Sequence, residues 1–165
     1  MSAFNKIIKG IQIRDIVLEG EKFLNLGCGK RPLVGCINVD IVKLPGVDIQ
    51  WDLNKTPWLF EDESFDGVIA EDVLEHLDDI VKAMEEIYRI LKKGGNLFIR
   101  GPYAKYPLNA WRDPTHKRVF TLESFDYFDP ETEHGRKYSF YTKARFKVLM
   151  RREYNKGVEF LLTKR

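Results

Sequence analysis

Cysteine is scarce in this chain: Cys28 and Cys36 are the two among 165 residues. A pair cannot build a disulfide framework, and its spacing fits no metal-ligand pattern. A reducing cytoplasmic setting and no metal site are therefore expected. Long hydrophobic runs are missing too. No stretch of about 18 apolar residues occurs, so no membrane insertion by a spanning helix is expected. No secretory leader is expected either, because Lys6, Lys9, Arg14 and Asp15 interrupt residues 4–18. Net charge is only +2, which excludes a chain dominated by one sign. Repeats and low-complexity tracts are absent. The 44% apolar and 32% charged content describes a globular chain, and the length fits one domain over 1–165.

Glycine, by contrast, is concentrated where it matters. Phe23-Leu24-Asn25-Leu26 reads as a buried strand that runs into Gly27-Cys28-Gly29. Eleven residues after Gly29, a second apolar run ends on Asp40. Glycines at such a turn open backbone angles closed to other residues and let a ligand approach closely. An acid ending the neighbouring strand can accept hydrogen bonds from both hydroxyls of a ribose. The pattern predicts a nucleoside-binding edge.

Along the chain, strand and helix patterns alternate. Residues 4–18 predict an amphipathic opening helix within 1–20. Strands are predicted near 22–27, 36–41, 47–52 and 65–70. Ile80, Val81, Met84, Ile87, Tyr88 and Leu91 recur at helical spacing, with Asp78-Asp79 at the start and Lys92-Lys93-Gly94-Gly95 as the stop. Another strand is predicted over 96–100, a long loop over 101–120, and a short helix from Thr121 to Tyr127. Phe146–Tyr154 and Val158–Thr163 predict a closing hairpin around Asn155-Lys156-Gly157. The fold class expected is α/β, a doubly wound, mostly parallel Rossmann-like sheet with a C-terminal antiparallel hairpin. Its early crossovers are abbreviated: six residues and then five separate the first three strands, where a parallel crossover usually needs a dozen. The opening helix, a second copy in a homodimer, or both are left to cover that sheet face.

These segments together resemble the class I S-adenosylmethionine-dependent methyltransferases, over most of residues 21–130. Leu24-Asn25-Leu26-Gly27-Cys28-Gly29 is similar to that family's first motif. Ser64 to Ala70, then Val73-Leu74-Glu75-His76-Leu77, resembles its fourth strand and following turn. Leu91 to Ile99 resembles its helix end and fifth strand. The resemblance implies S-adenosyl-L-methionine as cofactor. It implies methionine contacts from Asn25, Gly27, Cys28, Gly29 and Glu71, a ribose contact from Asp40 beside Ile41, and an adenine site at Asp52-Leu53. The chain departs from the pattern at Asn25, where an acid is usual, and at Lys30-Arg31-Pro32, where a third glycine and a helix are usual. Lys30 or Arg31 then becomes the expected partner of the cofactor carboxylate. A nicotinamide dehydrogenase needs that third glycine, a full helix and a more distant acid. A DNA amino-methyltransferase is disfavoured because no Asn-Pro-Pro-aromatic or Asp-Pro-Pro-aromatic tetrapeptide follows the fourth strand.

The acceptor wall is expected over residues 101–130, where Tyr103, Tyr106, Trp111, Asp113, His116 and Arg118 cluster. Asp113 and His116 are the candidate catalytic pair, the carboxylate orienting the imidazole; the competing reading makes Asp113-Pro114-Thr115 a turn and His116 a backbone partner. His116 to Phe125 resembles the corresponding stretch of small-molecule methyltransferases, which favours a small-molecule, sugar or lipid-linked acceptor. Residues 135–165 carry ten basic and two acidic side chains among aromatics, so a nucleic-acid surface stays open without being favoured. RNA or protein methylation, and a non-catalytic cofactor-binding module working with a partner, remain the alternatives.

Overall fold

The computed structural model describes residues 20–165; the opening helix expected within 1–20 lies almost wholly outside the described residues. Seven strands form one sheet: β1 (Phe23–Leu26), β2 (Cys36–Asp40), β3 (Ile49–Gln50), β4 (Phe65–Glu71), β5 (Leu91–Pro102), β6 (Phe146–Tyr154) and β7 (Gly157–Lys164), in the order β3-β2-β1-β4-β5-β7-β6. The first five pair in parallel, and β7 pairs antiparallel with both β5 and β6. Strand order reverses between β1 and β4. In open sheets of this kind, ligands bind in the crevice outside the carboxyl ends at that reversal.

Buried strands here are nearly continuous apolar runs because both faces are packed. Leu24, Leu26, Val68, Ala70, Leu97 and Ile99 face one way, into the main core with α1 (Ile80–Ile90). The alternate residues Phe23, Ile69, Phe98 and Leu161 form a smaller cluster with Leu33, Cys36 and Met150 on the other face. Helix α1 starts where Asp79 accepts a hydrogen bond from Lys82 N at 3.1 Å, and it buries Ala83, Met84, Ile87 and Ile90. Burial of the Cys36 thiol pushes its pKa up to about 11, so it behaves as a packed apolar group.

The early parallel connections carry no helix among the described residues. A buried amide network replaces it. Asn38 Oδ1 accepts from Asn25 Nδ2 at 2.9 Å and from Leu33 N at 2.8 Å. Its Nδ2 donates to Leu33 O, Cys36 O and Asp48 Oδ2, and Asp48 Oδ2 also takes Asn38 N at 2.7 Å. Both tight loops thus hang on one side chain, which is 5% exposed. The network also accounts for Asn25: a carboxylate there could not donate to Asn38 Oδ1.

Three local expectations change. Lys92-Lys93-Gly94-Gly95 belongs to β5 and not to a helix terminus; Leu91 pairs with Phe65 and the next pair is Gly67 with Asn96, so the intervening residues bulge, with Gly94 at φ 76°. The helix expected from Thr121 is a set of turns ending in a 3-10 turn at Asp126–Phe128, because Ser124 Oγ accepts from Thr121 N and closes the segment on itself. The expected loop 101–120 contains the end of β5 and a single helical turn, α2 (Pro107–Ala110), with proline at its start. A further short helix, α3 (Glu133–Lys137), is capped by Thr132.

Candidate functional site

The glycine turn leaves β1 in the crevice between β1 and β4. Cys28 N donates to Val39 O at 3.0 Å, and Gly29 N donates to Asp40 Oδ2 at 2.8 Å, so the turn is laced to the end of β2. The two glycines serve different ends. Gly27 has φ 60°, and a Cβ there would overlap the Val73 side chain; its bareness allows packing. At Gly29 (φ 49°) a Cβ would meet only Asp40 Oδ2 at 4.0 Å, so this is where a ligand can come down onto backbone. Both positions carry the left-handed penalty of roughly 1–2 kcal/mol for a side chain. Gly27→Ala adds overpacking of about 1–3 kcal/mol. Urea melts should therefore place Gly27→Ala below Gly29→Ala in stability; equal losses would remove the packing role of Gly27.

Asp40 is half-buried. Each of its oxygens accepts one backbone N–H, Oδ2 from Gly29 and Oδ1 from Val42 at 2.9 Å. Each therefore keeps a lone pair for another donor. Ile41 beside it is 58% exposed, an apolar surface on the same edge. Asp52 accepts from Asn54 N at 3.0 Å in a local turn, and the Leu53 side chain is buried in the core while its carbonyl takes the Trp58 indole N–H at 3.1 Å. Cys28 is buried, and burial first and Asp40 second push its thiol pKa up.

A narrow cleft of about 20 Å³ is lined by Asn25, Gly27, Cys28, Arg31, Leu33 and Glu71. Arg31 closes its mouth, with Nη2 3.0 Å from Asp72 Oδ2 and Nη1 3.8 Å from Glu71 Oε2. Asp72 sits at φ 51°, in the left-handed region that aspartate adopts more readily than most non-glycine residues.

Across Asp72 opens a second cavity, of about 420 Å³, lined in part by Glu75, Arg100, Asn109, Asp113, His116 and Tyr154. Asp113 and His116 both face it, but the structure engages them separately. Asp113 Oδ1 accepts from Thr115 N at 2.8 Å and from Thr115 Oγ1 at 2.6 Å; these bonds hold its carboxyl below the usual range. His116 Nδ1 lies 2.6 Å from Ala110 O, and its Nε2 is 3.9 Å from Glu75 Oε1. The carboxylate beside His116 is thus Glu75. In the sequence Glu75 stands only within the segment after the fourth strand, and nothing local marks it, since His116 lies 41 residues further on. Glu75 is 1% exposed and neither oxygen has a hydrogen-bond partner among the described residues. Desolvation by burial pushes its pKa up to about 8. His76 ends the 3-10 turn Leu74–His76, with Nδ1 2.9 Å from Thr115 Oγ1 and its ring 4.9 Å from that of His116. Arg118 is structural: its guanidinium donates to the carbonyls of Leu74, Leu77 and Asp78.

A larger groove of about 880 Å³ lies elsewhere, between the end of α1 and residues 139–145. It borders Glu63, which precedes β4, and so opens at the amino ends of the strands, away from the strand-order reversal.

Residues 36–99 match the family model of a methyltransferase domain. The uncharacterized methyltransferase YcgJ of Bacillus subtilis (strain 168) is 32% identical over 75 residues, which are 40% of this chain and 30% of that relative, so the match spans under a third of its length. The YcgJ crystal structure aligns with a TM-score of 0.64 at 16% identity, covering 99% of this chain and 98% of that one. A SAM-dependent methyltransferase from Archaeoglobus fulgidus aligns at 0.66 and 18% identity, over 96% and 94%. The 1,6-didemethyltoxoflavin-N1-methyltransferase of Burkholderia thailandensis, solved with its acceptor and S-adenosylhomocysteine, aligns at 0.60 and 14% identity, over 87% and 71%. Residues 36–99 thus match a methyltransferase domain, and the described chain shares its fold with SAM-dependent methyltransferases of known structure.

Proposed function

We propose that the chain transfers the methyl group of S-adenosylmethionine to a small-molecule, sugar or lipid-linked acceptor. The observation that carries this reading is the adjacency of two spaces at the carboxyl ends of the strands: the open face at Gly29 and Asp40, and the 420 Å³ cavity across Asp72. The residues present fit the cofactor. Asp40 keeps two lone pairs for the ribose hydroxyls, Ile41 and the Asp52 turn flank the adenine, and backbone at Gly27–Gly29 meets the methionine portion. Arg31 takes the cofactor carboxylate, and Glu71 with Asp72 takes its ammonium, so that the zwitterion exchanges partners with the Arg31–Asp72 pair. When bound, the cofactor supplies an electrophilic methyl on sulfonium sulfur with a neutral thioether as leaving group.

The chain's own work is then alignment and exclusion of water, which supply on the order of 7–11 kcal/mol in well-oriented cases. On the acceptor side, His116 presents Nε2 beside Glu75, while Asp113 holds Thr115 and through it His76. A small acceptor is favoured over nucleic acid because five of the ten basic residues in 135–165 are paired with carboxylates within the chain. Lys147 and Arg165 pair with Glu131, Arg151 with Asp126, Arg152 with Glu159 and Lys164 with Glu63. Incubation with methyl-labelled cofactor and separate pools of metabolites, RNA and protein tests the reading. Label in the metabolite pool is expected; label confined to RNA or protein would overturn the acceptor assignment, and cofactor binding without transfer to any pool would overturn the catalytic one.

A further inference from the structure

We propose that Glu75, His76 and His116 form a binding site for one divalent transition-metal ion on the wall of the acceptor cavity. Their ligand-type atoms lie within 4.8 Å of one another, the tightest measured separation being 3.9 Å between His116 Nε2 and Glu75 Oε1. The 3-10 turn after β4 supplies consecutive Glu75 and His76. The loop carrying His116 is tied to that turn by Lys117 N donating to Glu75 O at 2.9 Å.

Hydrogen bonding fixes the rings. A carbonyl only accepts, so the bond to Ala110 O places the proton of His116 on Nδ1. The Thr115 hydroxyl gives its own proton to Asp113 Oδ1, so it must accept from His76, whose proton is also on Nδ1. With Nδ1 as the donor in each ring, Nε2 is the atom left to act as a ligand. Metal-bound histidines show this support: the far ring nitrogen donates to a carbonyl, hydroxyl or carboxylate that sets tautomer and orientation.

Glu75 is the second, independent observation. Among the described residues no donor reaches either oxygen of this buried carboxyl, and Glu75 lines the cavity. Arg118 lies close, yet its guanidinium is committed to the three carbonyls of the 74–78 turn. A buried carboxylate without a partner is costly. Burial favours the neutral acid, and a cation between Glu75 and the imidazole lone pair would hold it as the carboxylate. Two imidazoles and one carboxylate suit zinc, cobalt, manganese or iron better than magnesium or calcium. With bonds of about 2.0–2.2 Å, neighbouring ligands sit about 3.3 Å apart. The His116–Glu75 pair therefore has to close by about 0.6 Å, and the widest separation, at most 4.8 Å, by up to about 1.5 Å. Three protein ligands leave a position open, as in catalytic metal sites. Glu75 and His116 line the acceptor cavity, so an ion held by them would be placed to polarise an acceptor oxygen and ease loss of its proton. This last step rests on the methyltransferase reading; the metal site itself does not. The sequence expectation of no metal site followed cysteine spacing, and it could not register ligands forty residues apart.

The test uses Co²⁺ alone, added to chelator-treated full-length protein without cofactor, with binding followed by calorimetry and by visible ligand-field absorption. One equivalent with ligand-field bands is expected. Glu75→Gln and His116→Ala should each weaken binding by more than the 10–100-fold that loss of a supporting contact costs, and Thr115→Val by roughly 10-fold. His134→Ala, at an exposed histidine outside the cluster, should leave binding unchanged. Circular dichroism and melting curves establish that each variant is folded, and His116→Gln replaces any that is not. Absence of Co²⁺ binding in the wild type, or binding that survives Glu75→Gln and His116→Ala, would overturn the site. S-adenosylhomocysteine titration of the same metal-free samples separates that outcome from failure of the cofactor reading.

Discussion

Asp40→Ala should weaken S-adenosylhomocysteine binding by about 100-fold or more, while the protein remains folded. Two charge-assisted hydrogen bonds to ribose hydroxyls are lost, each worth about 1.5–3 kcal/mol. The same carboxylate also holds Gly29 N and Val42 N, so the backbone that a ligand would approach loses its clamp. The side chain is half-buried at a strand end and supports no core packing, so the variant should stay folded with a moderate fall in melting temperature from the two lost turn hydrogen bonds. The larger loss should appear in affinity. Calorimetric titration of wild type and variant measures this. Equal affinity in the two proteins would place the nucleoside away from β2.

Glu159→Ala should cost about 3–5 kcal/mol of stability, the range found when one partner of a buried ion pair is removed. Glu159 is 1% exposed and stands in register between Arg100 on β5 and Arg152 on β6. It accepts from Arg100 Nε at 2.9 Å and Nη2 at 2.5 Å, and from Arg152 Nε at 2.7 Å. Arg100 in turn reaches Glu71 on β4 at 3.3 Å, and Glu71 is 3.8 Å from Arg31. A row of alternating charge therefore crosses four strands, from the hairpin edge to the mouth of the cofactor cleft. Deleting its centre leaves two guanidiniums facing each other across β7 and frees Arg100 to draw Glu71 from Arg31. Urea denaturation reports the stability. A loss under about 1 kcal/mol would show that the row is solvated and that the fold does not depend on it.

Much of this arrangement was legible from local pattern. The strand–turn–strand around Gly27 to Asp40 and the closing hairpin follow from apolar runs and turn residues, and the structure repeats them with boundary shifts of one or two residues. The short connections after β1 and β2 were legible as an anomaly but not as a solution. Their support comes from Asn38, whose partners Asn25 and Asp48 lie thirteen and ten residues away, beyond the reach of periodicity. The stop at Lys92-Lys93-Gly94-Gly95 was misplaced because a bulged strand start and a helix C-terminus use the same residues.

On the acceptor side, local spacing offered two readings of Asp113 and His116. One was a catalytic pair; the other, a turn at Asp113-Pro114-Thr115 with His116 bonded to backbone, matches the fold. The fold pairs Asp113 with Thr115 and brings His116 to Glu75. No single-sequence signal marks such a pair, because a Leu-Glu-His-Leu turn reads equally well as a solvated helix start. Burial of Glu75 with no hydrogen-bond donor among the described residues is a property of the packed chain alone.

In the proposed complex the cofactor lies over Gly29 and Asp40 with its sulfur directed toward the Glu75–His116 cavity. A crystal structure of the full chain with S-adenosylhomocysteine tests it most directly. The predicted result is ribose hydroxyls on Asp40, Arg31 released from Asp72, and the thioether facing that cavity. Ligand bound in the groove beside residues 139–145, or a ribose that leaves Asp40 untouched, would contradict it.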